Sequence, residues 1–177
     1  MTILIQNARP QGFSDVAGAS MDVLVGDDGT IAAVGNGLVA PAGARVIDGT
    51  GKTLSPGWMD LHVHVWHGGA DIAVRPREAG LATGVTTMLD TGSAGEAIFH
   101  GFREYVIDTA PEAIFALINI GSIGCVATNR VSEIIDIRSI DVDRTLAVIE
   151  ANRDVIKGVK IRASHVITHA SSRAAQE

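Results

Sequence analysis

PGWMDLHVH, residues 56–64, is the stretch around which the chain is organised. Apolar and polar side chains alternate along it, which is the period of an extended strand. Asp60, His62 and His64 therefore project from one face of the predicted strand, and the apolar side chains from the other. Two imidazoles on one strand face can hold a cation through their neutral nitrogens, although a histidine pair without a ligand has the same spacing.

The composition excludes several classes of protein. The chain has 177 residues, enough for one core or for a small domain beside part of a larger one. No run reaches the roughly 18–20 apolar residues of a membrane helix, and the N-terminus lacks the basic region of a signal peptide. The net charge is −6 without a Lys/Arg cluster, which argues against nucleic acid. The single Cys125, expected as a small buried side chain, fits a cytoplasmic protein.

Residues 1–55 have the pattern of a small β unit with little room for a helix. Short apolar runs alternate with turns, and the Asp-Gly pair at 28–29 lies between two of them, which is a strong hairpin signal. The predicted strands cover 3–5, 21–25, 30–35 and 45–48. We interpret this unit as purely structural.

From residue 56 onward, strands alternate with helices. The predicted elements are, in order, a strand at 59–65, a helix at 75–84, a strand at 85–90, a helix at 94–109, a strand at 113–120, a helix from 140 to about 155 and a strand at 158–162. Such alternation predicts an α/β fold with a parallel sheet or barrel over residues 56–177.

Chemistry in such folds lies at the carboxyl ends of the strands. Five polar side chains fall there, namely His62, His64, Asp90, Asn119 and Lys160. Asp90 and Asn119 also suit an ordinary role as turn or capping residues, which we favour.

Lys160 is less easily explained as a surface residue. It lies between two apolar residues of a predicted strand and so faces away from both, toward a barrel interior. A buried ammonium requires a partner or must lose its charge. One solution is an ion pair, with Asp60 or Asp90, and another is reaction with carbon dioxide to form a carbamate that bridges two cations.

The motifs in combination resemble those of the amidohydrolase superfamily. PGWMDLHVH is followed by GVTT at 84–87 and GVK at 158–160, while HGG at 67–69, DTGSAG at 90–95 and FREYVI at 102–107 resemble its amidohydrolase/deacetylase branch, related to dihydroorotases and D-aminoacylases. The resemblance implies an incomplete (β/α)8 TIM-type barrel, about its first four βα units, beside an N-terminal β-sandwich portion at 1–55. It also implies a centre of two divalent cations, usually zinc.

The resemblance assigns roles residue by residue. His62 and His64 match the metal ligands of the first barrel strand, Lys160 matches the carbamylated lysine of the fourth, and Asp60 matches a supporting residue near them. The implied activity is metal-dependent hydrolysis of an amide or ester bond in a small N-acyl or O-acyl substrate. The catalytic aspartate of the family belongs to the eighth strand, which we expect beyond residue 177.

The departures from the family are as informative as the matches. His165 and His169 follow the fourth strand within one short loop, so they are poor substitutes for ligands from across a barrel. We interpret the chain as an N-terminal part, inactive alone, that associates with another copy or with the missing half. The alternatives are a non-catalytic associating remnant and a mononuclear nucleobase deaminase, against which Lys160 argues.

Overall fold

The computed structural model describes residues 1–12, 20–134 and 137–162. The chain divides into two compact units, Met1–Pro56 and Gly57–Glu177. His165 and His169, the two histidines considered as substitute ligands, lie outside the described residues. Within the described ranges, no helix combines the length and the apolar character needed to cross a membrane.

The first unit is a five-stranded mixed sheet. Its strands are β1 (Ile3–Pro10), β2 (Met21–Val25), β3 (Ile31–Gly35), β4 (Arg45–Asp48) and β5 (Thr53–Leu54). The order is β3-β2-β1-β4, with β1 antiparallel to β2 and parallel to β4, and β5 pairs with the end of β1. The predicted hairpin between β2 and β3 is confirmed, and Asp28 accepts a hydrogen bond from the Thr30 amide across its turn at 2.9 Å.

The first strand is longer than predicted because a bulge lets it continue. Its register against β2 shifts between Ile5 and Ala8, where Asn7 has a positive φ of 59°. The buried carboxylate of Asp22 accepts the Asn7 amide at 2.8 Å and the Leu38 amide at 2.9 Å. The first of these hydrogen bonds satisfies the amide of Asn7 inside the irregular part of the ladder, and the second satisfies an amide of the loop after β3.

The second unit contains a four-stranded parallel sheet, as predicted. Its strands are β6 (Trp58–Val63), β7 (Val85–Gly95), β8 (Ala113–Asn119) and β9 (Ile156–Lys160), in the order β6-β7-β8-β9. The described strands form an open row, so the incomplete barrel stays a prediction. All four carboxyl ends meet at one edge of the sheet.

Short helical segments connect these strands. Between β6 and β7 lie α1 (Pro76–Ala79) and a 3₁₀ turn (Leu81–Thr83); between β7 and β8 lie α2 (Phe99–Phe102) and a π-helical turn (Arg103–Ile107); before β9 lie a 3₁₀ turn (Ile137–Ser139) and α3 (Val142–Ala151). Asp141 caps α3 by accepting the Arg144 amide.

The helix predicted at 94–109 was wrong at its start. The structure continues β7 to Gly95, and the helix begins only at Phe99. Thr91-Gly92-Ser93 has the composition of a helix cap, but the carboxylate of Asp90 accepts the amides of Gly92 and Ser93. The segment is therefore held in the sheet. Gly80, expected inside the helix at 75–84, instead separates α1 from the 3₁₀ turn.

The core of the second unit lies between the sheet and α2. Alternate residues of β7 and β8 point into it, together with the aromatic residues of α2; its main members are Met88, Ile114, Ala116, Ile118, Phe99 and Phe102. The rings of Phe99 and Phe102 meet edge to face with centroids 6.1 Å apart. Each large side chain buried in this way contributes about 1.5–3 kcal/mol, so this core fixes the strands that carry the site.

An arginine connects two of the outer segments. Arg103, in the π-helical turn, forms a bidentate ion pair with Asp154, both nitrogen–oxygen distances being 2.7 Å. Its Nε also contacts Asp108 at 3.1 Å. Asp154 lies in the turn between α3 and β9, so this cluster joins the connections on either side of β8.

Candidate metal centre

His62 and His64 lie together at the carboxyl end of β6. Their ring centroids are 6.0 Å apart and the ring planes meet at 68°. The imidazoles therefore share one strand face, as the alternation predicted. Two imidazoles on one zinc ion have centroids about 5–6 Å apart, because metal–nitrogen distances are about 2.0–2.1 Å. The separation of the two rings is at the upper end of this range.

His64 is tied to the neighbouring strand by a short chain of hydrogen bonds. Its Nδ1 lies 2.9 Å from the Ser93 hydroxyl, which donates to Oδ2 of Asp90 at 2.7 Å. Asp90 also accepts the backbone amides of Val65 and Ser93, both at 2.8 Å, and that of Gly92 at 3.2 Å. Asp90 is fully buried, so it organises the ends of β6 and β7 in the manner of a buried turn residue.

The surroundings of His64 favour the neutral form of its imidazole. Burial lowers the pKa of His64 below its ordinary value of 6.5. The charges of His62 and Lys160 lower this pKa further, whereas the charge of Asp90 raises it in part. Burial likewise raises the pKa of Asp90, against the hydrogen bonds from Val65 and Ser93. Neutral imidazole is the form that ligates a cation.

Lys160 lies at the end of β9, opposite Asn119 in the ladder. Its stem crosses Gly92: a Cβ on that glycine would lie 2.8 Å from Cγ of Lys160. Gly92 also has a φ of 98°, a conformation that L side chains rarely adopt. Among the described residues, no ion pair joins Lys160 to Asp60 or Asp90, the two partners considered from the sequence.

Asp60 contacts the backbone of the histidine pair. Its Oδ1 accepts the His62 amide at 2.9 Å, so it stabilises the end of β6. The sequence-based role of Asp60, a supporting residue close to the ligands, is compatible with this contact.

Glu133 is a residue that the sequence analysis missed. It is buried, and its carboxylate accepts hydrogen bonds at 2.8 Å from Asn119 Nδ2, Thr128 Oγ1 and Arg162 Nη1. Asn119 also donates to the Gly92 carbonyl at 3.0 Å. The cluster therefore fastens the loop after β8 to the ends of β7 and β9. Its only sequence signal was an acidic residue within a mainly apolar, otherwise uncharged stretch, VSEII at 131–135.

Cys125 belongs to this cluster and is not a nucleophile. It is buried, as predicted, and its Sγ donates to the Gly92 carbonyl at 3.2 Å. Burial, together with the negative charge of Glu133, raises the pKa of Cys125 to about 12. The thiol is therefore protonated near neutral pH.

The donor set at this sheet edge is small. In residues 1–12, 20–134 and 137–162 no three His, Cys, Asp or Glu side chains converge as a metal-binding group. What lies together at the end of β6 is two imidazoles, and the positive charge of Lys160 is among the causes that lower the pKa of His64. A cavity of about 300 Å³ lies elsewhere, beside α1 and the π-helical turn, and none of the four predicted site residues lines it.

The chain is similar to three known proteins over nearly its whole length, although no protein-family model matches it. A deacetylase of Brucella anthropi is 56% identical over 167 residues, which cover 94% of this chain and 42% of that protein. The crystal structure of a dihydroorotase has 54% identity and a TM-score of 0.90, covering 96% of this chain and 45% of its own. That of an adenine deaminase has 26% identity and a TM-score of 0.80, covering 98% and 45%. The chain thus spans less than half the length of each.

Proposed function

We infer the function of this chain from the family to which it belongs, because it is a member of the amidohydrolase superfamily. We propose that it carries the first cation ligands of a metal-dependent hydrolase of amide or ester bonds. The observation that carries this proposal is the imidazole pair at the end of β6, with the charge of Lys160 acting on it. The names deacetylase and dihydroorotase among its relatives support a small N-acyl or O-acyl substrate.

Each residue has a defined part in this proposal. His62 and His64 would hold a cation through neutral imidazole nitrogens, and Lys160, once carbamylated by carbon dioxide, would offer anionic oxygens to the metal centre. When bound, the cations, proposed as zinc, polarise the scissile carbonyl and lower the pKa of water. Asp60 holds the backbone of His62, and Gly92 leaves room for the stem of Lys160. A carbon-13 carbamate signal that is lost in Lys160→Met would support the modification, and a plain lysine in the zinc-loaded complete enzyme would refute it.

We further propose that the 177-residue chain alone has no turnover. Three ligands do not complete a binuclear site, and the proton-transferring aspartate of the family is expected outside residues 1–177. Loss of such a base costs about 10²–10⁴ in rate. In the chain alone we therefore also expect Lys160 to be unmodified. A cytoplasmic location stays a prediction.

A nucleobase deaminase is the second candidate. The 26% identity to an adenine deaminase over almost the entire chain favours it, whereas a bridging lysine carbamate would favour the hydrolase. A chain that only folds and associates is the non-catalytic alternative. These candidates differ in metal content and in substrate, so one set of measurements separates them.

The test compares the complete enzyme containing these residues with its His62→Ala/His64→Ala variant. We expect the double variant to lose zinc, measured by elemental analysis, while remaining folded, because both imidazoles share one cation. His100→Ala is the matched control, since His100 is an exposed histidine on α2 that is not one of the predicted ligands. Unchanged zinc content in the double variant would overturn the assignment.

The same preparations are then assayed on N-acyl and O-acetyl compounds and on adenine. Acyl hydrolysis that is lost with the zinc supports the hydrolase, and adenine deamination would instead favour the second candidate. Zinc-dependent turnover by a monomer of residues 1–177 would contradict the proposed inactivity of the chain alone.

A further inference from the structure

The hydrogen bonds from His64 to Ser93 and from Ser93 to Asp90 determine which ring nitrogen of His64 carries the hydrogen. An imidazole can offer a lone pair to a cation only from the nitrogen that bears no hydrogen, and the partner of the other nitrogen decides which one that is. We propose that Asp90 and Ser93 form a relay that fixes His64 as the Nδ1–H tautomer, leaving Nε2 free for the cation. Ser93 is then a positioning residue. This inference rests on the proposed function.

The direction of the relay follows from counting donors. Oδ1 of Asp90 faces the amides of Gly92 and Ser93, and Oδ2 faces the amide of Val65. Backbone N–H groups can only donate, so both oxygens of Asp90 accept, and with Asp90 held as a carboxylate by these three amides neither oxygen has a proton to give. The Ser93 hydroxyl, 2.7 Å from Oδ2, therefore gives its single proton to Asp90.

A hydroxyl that has donated its proton can only accept from its other neighbour. That neighbour is Nδ1 of His64, 2.9 Å away, which must then carry the hydrogen. The lone pair of His64 is left on Nε2, the ring nitrogen that the relay does not use. The relay thus prepares one defined ligand atom before any cation arrives.

The geometry of the relay is fixed from two sides. Ser93 and Asp90 are both fully buried, so neither side chain can turn away to water. Asp90 holds the amide of Val65, the residue after His64, and through Ser93 it also holds the ring of His64. Backbone and ring are tied to one carboxylate, which limits rotation of the imidazole.

The closing experiment measures the tautomer and the affinity for zinc separately. In the metal-free protein labelled with nitrogen-15 histidine, at constant neutral pH, we expect His64 to give the Nδ1–H pattern, with the signal assigned by its loss in His64→Gln. Ser93→Ala should abolish this preference and weaken zinc binding about 10–100-fold, measured by competition with a chromophoric chelator.

Thr91→Val is the matched control. Thr91 lies on the same strand, and its buried hydroxyl has no hydrogen-bond partner among the described residues. Its removal should therefore change neither the tautomer of His64 nor the affinity for zinc. An Nε2–H pattern in the unaltered protein would overturn the relay, as would unchanged zinc affinity in Ser93→Ala. Either result leaves the proposed function standing if the double histidine variant loses zinc. Conversely, an Nδ1–H pattern lost in Ser93→Ala, in a protein that binds no zinc, would support the relay and refute the proposed function.

Discussion

Gly92 brings together, at a single residue, two constraints on the candidate site. Its φ of 98° suits glycine alone, and the stem of Lys160 occupies the space that a side chain would take. The Gly92 carbonyl, in addition, accepts hydrogen bonds from Asn119 and Cys125. A glycine in the middle of a motif is thus a point where residues of β8 and β9 contact β7.

We expect Gly92→Ala to weaken zinc binding as well as the fold. The new Cβ would lie 2.8 Å from Cγ of Lys160, so the lysine must move, and the backbone strain costs about 1–3 kcal/mol. Gly29→Ala is the control, because Gly29 has a φ of 80° but no atom within 4 Å of the added Cβ. Urea unfolding should register both substitutions, and zinc titration only the first. Equal zinc affinity in the two variants would contradict the contact with Lys160.

At the level of elements, the loop after β8 depends on one buried carboxylate. Glu133 accepts from a strand residue, a loop residue and Arg162, which follows β9. If this acceptor is removed or replaced by a donor, the buried groups that donate to it lose their partner. Leaving a buried polar group without a partner costs about 1–3 kcal/mol. These polar contacts therefore contribute to the stability of the loop.

We expect Glu133→Gln to lower the free energy of unfolding by about 1–3 kcal/mol, because its amide group must face a donor. Glu104→Gln is the matched control, since Glu104 is exposed in the π-helical turn. Burial alone raises the pKa of Glu133, but hydrogen bonds from Asn119 and Thr128 and the charge of Arg162 bring it below the ordinary value of 4.5.

The pH dependence of this effect has a definite sign. A pKa that is lower in the folded state means that Glu133 stabilises the fold above pH 4.5, and that this contribution is lost as the pH falls through the folded pKa. Urea unfolding at a series of pH values should therefore show a shrinking difference between Glu133→Gln and the unaltered chain on acidification. A difference that grows toward low pH would contradict this account.

Elements that depend on neighbouring residues in the sequence could be predicted, whereas features that depend on side chains far apart in the sequence could not. The strands of the parallel sheet depend on local β-branched and apolar runs, and their order along the chain was predicted correctly. The start of the helix after β7 depends on Asp90 accepting two amides, which a cap-like Thr-Gly-Ser sequence conceals. Glu133 was missed because its partners Asn119 and Arg162 lie 14 and 29 positions away. His62 and His64 were found because strand period alone places them together.

For the molecule as a whole, the outer strands of the parallel sheet leave apolar surface uncovered. Trp58, Met59 and Leu61 on β6 are each 68–70% exposed, and Val159 on β9 is 48% exposed. Within the described residues neither β6 nor β9 pairs with a further strand. Such edges favour association.

We expect the 177-residue chain to associate in solution in a concentration-dependent manner, measured by sedimentation equilibrium. Met59→Lys/Leu61→Lys should shift the distribution toward monomer, because two charges would be placed on the uncovered face of β6. Val39→Lys is the control, since Val39 is 86% exposed outside any strand. A monodisperse monomer of the unaltered chain would contradict this prediction.

The ion pairs of Arg103 have a consequence for motion. Because Arg103 holds Asp154 across β8, the π-helical turn cannot open without releasing the turn that precedes β9. In terms of amide hydrogen exchange, we therefore expect the two segments to open as one cooperative unit. Asp154 is 62% exposed, so concentrated salt screens the pair. We therefore expect the two outer segments to exchange together at low ionic strength and more independently in concentrated salt.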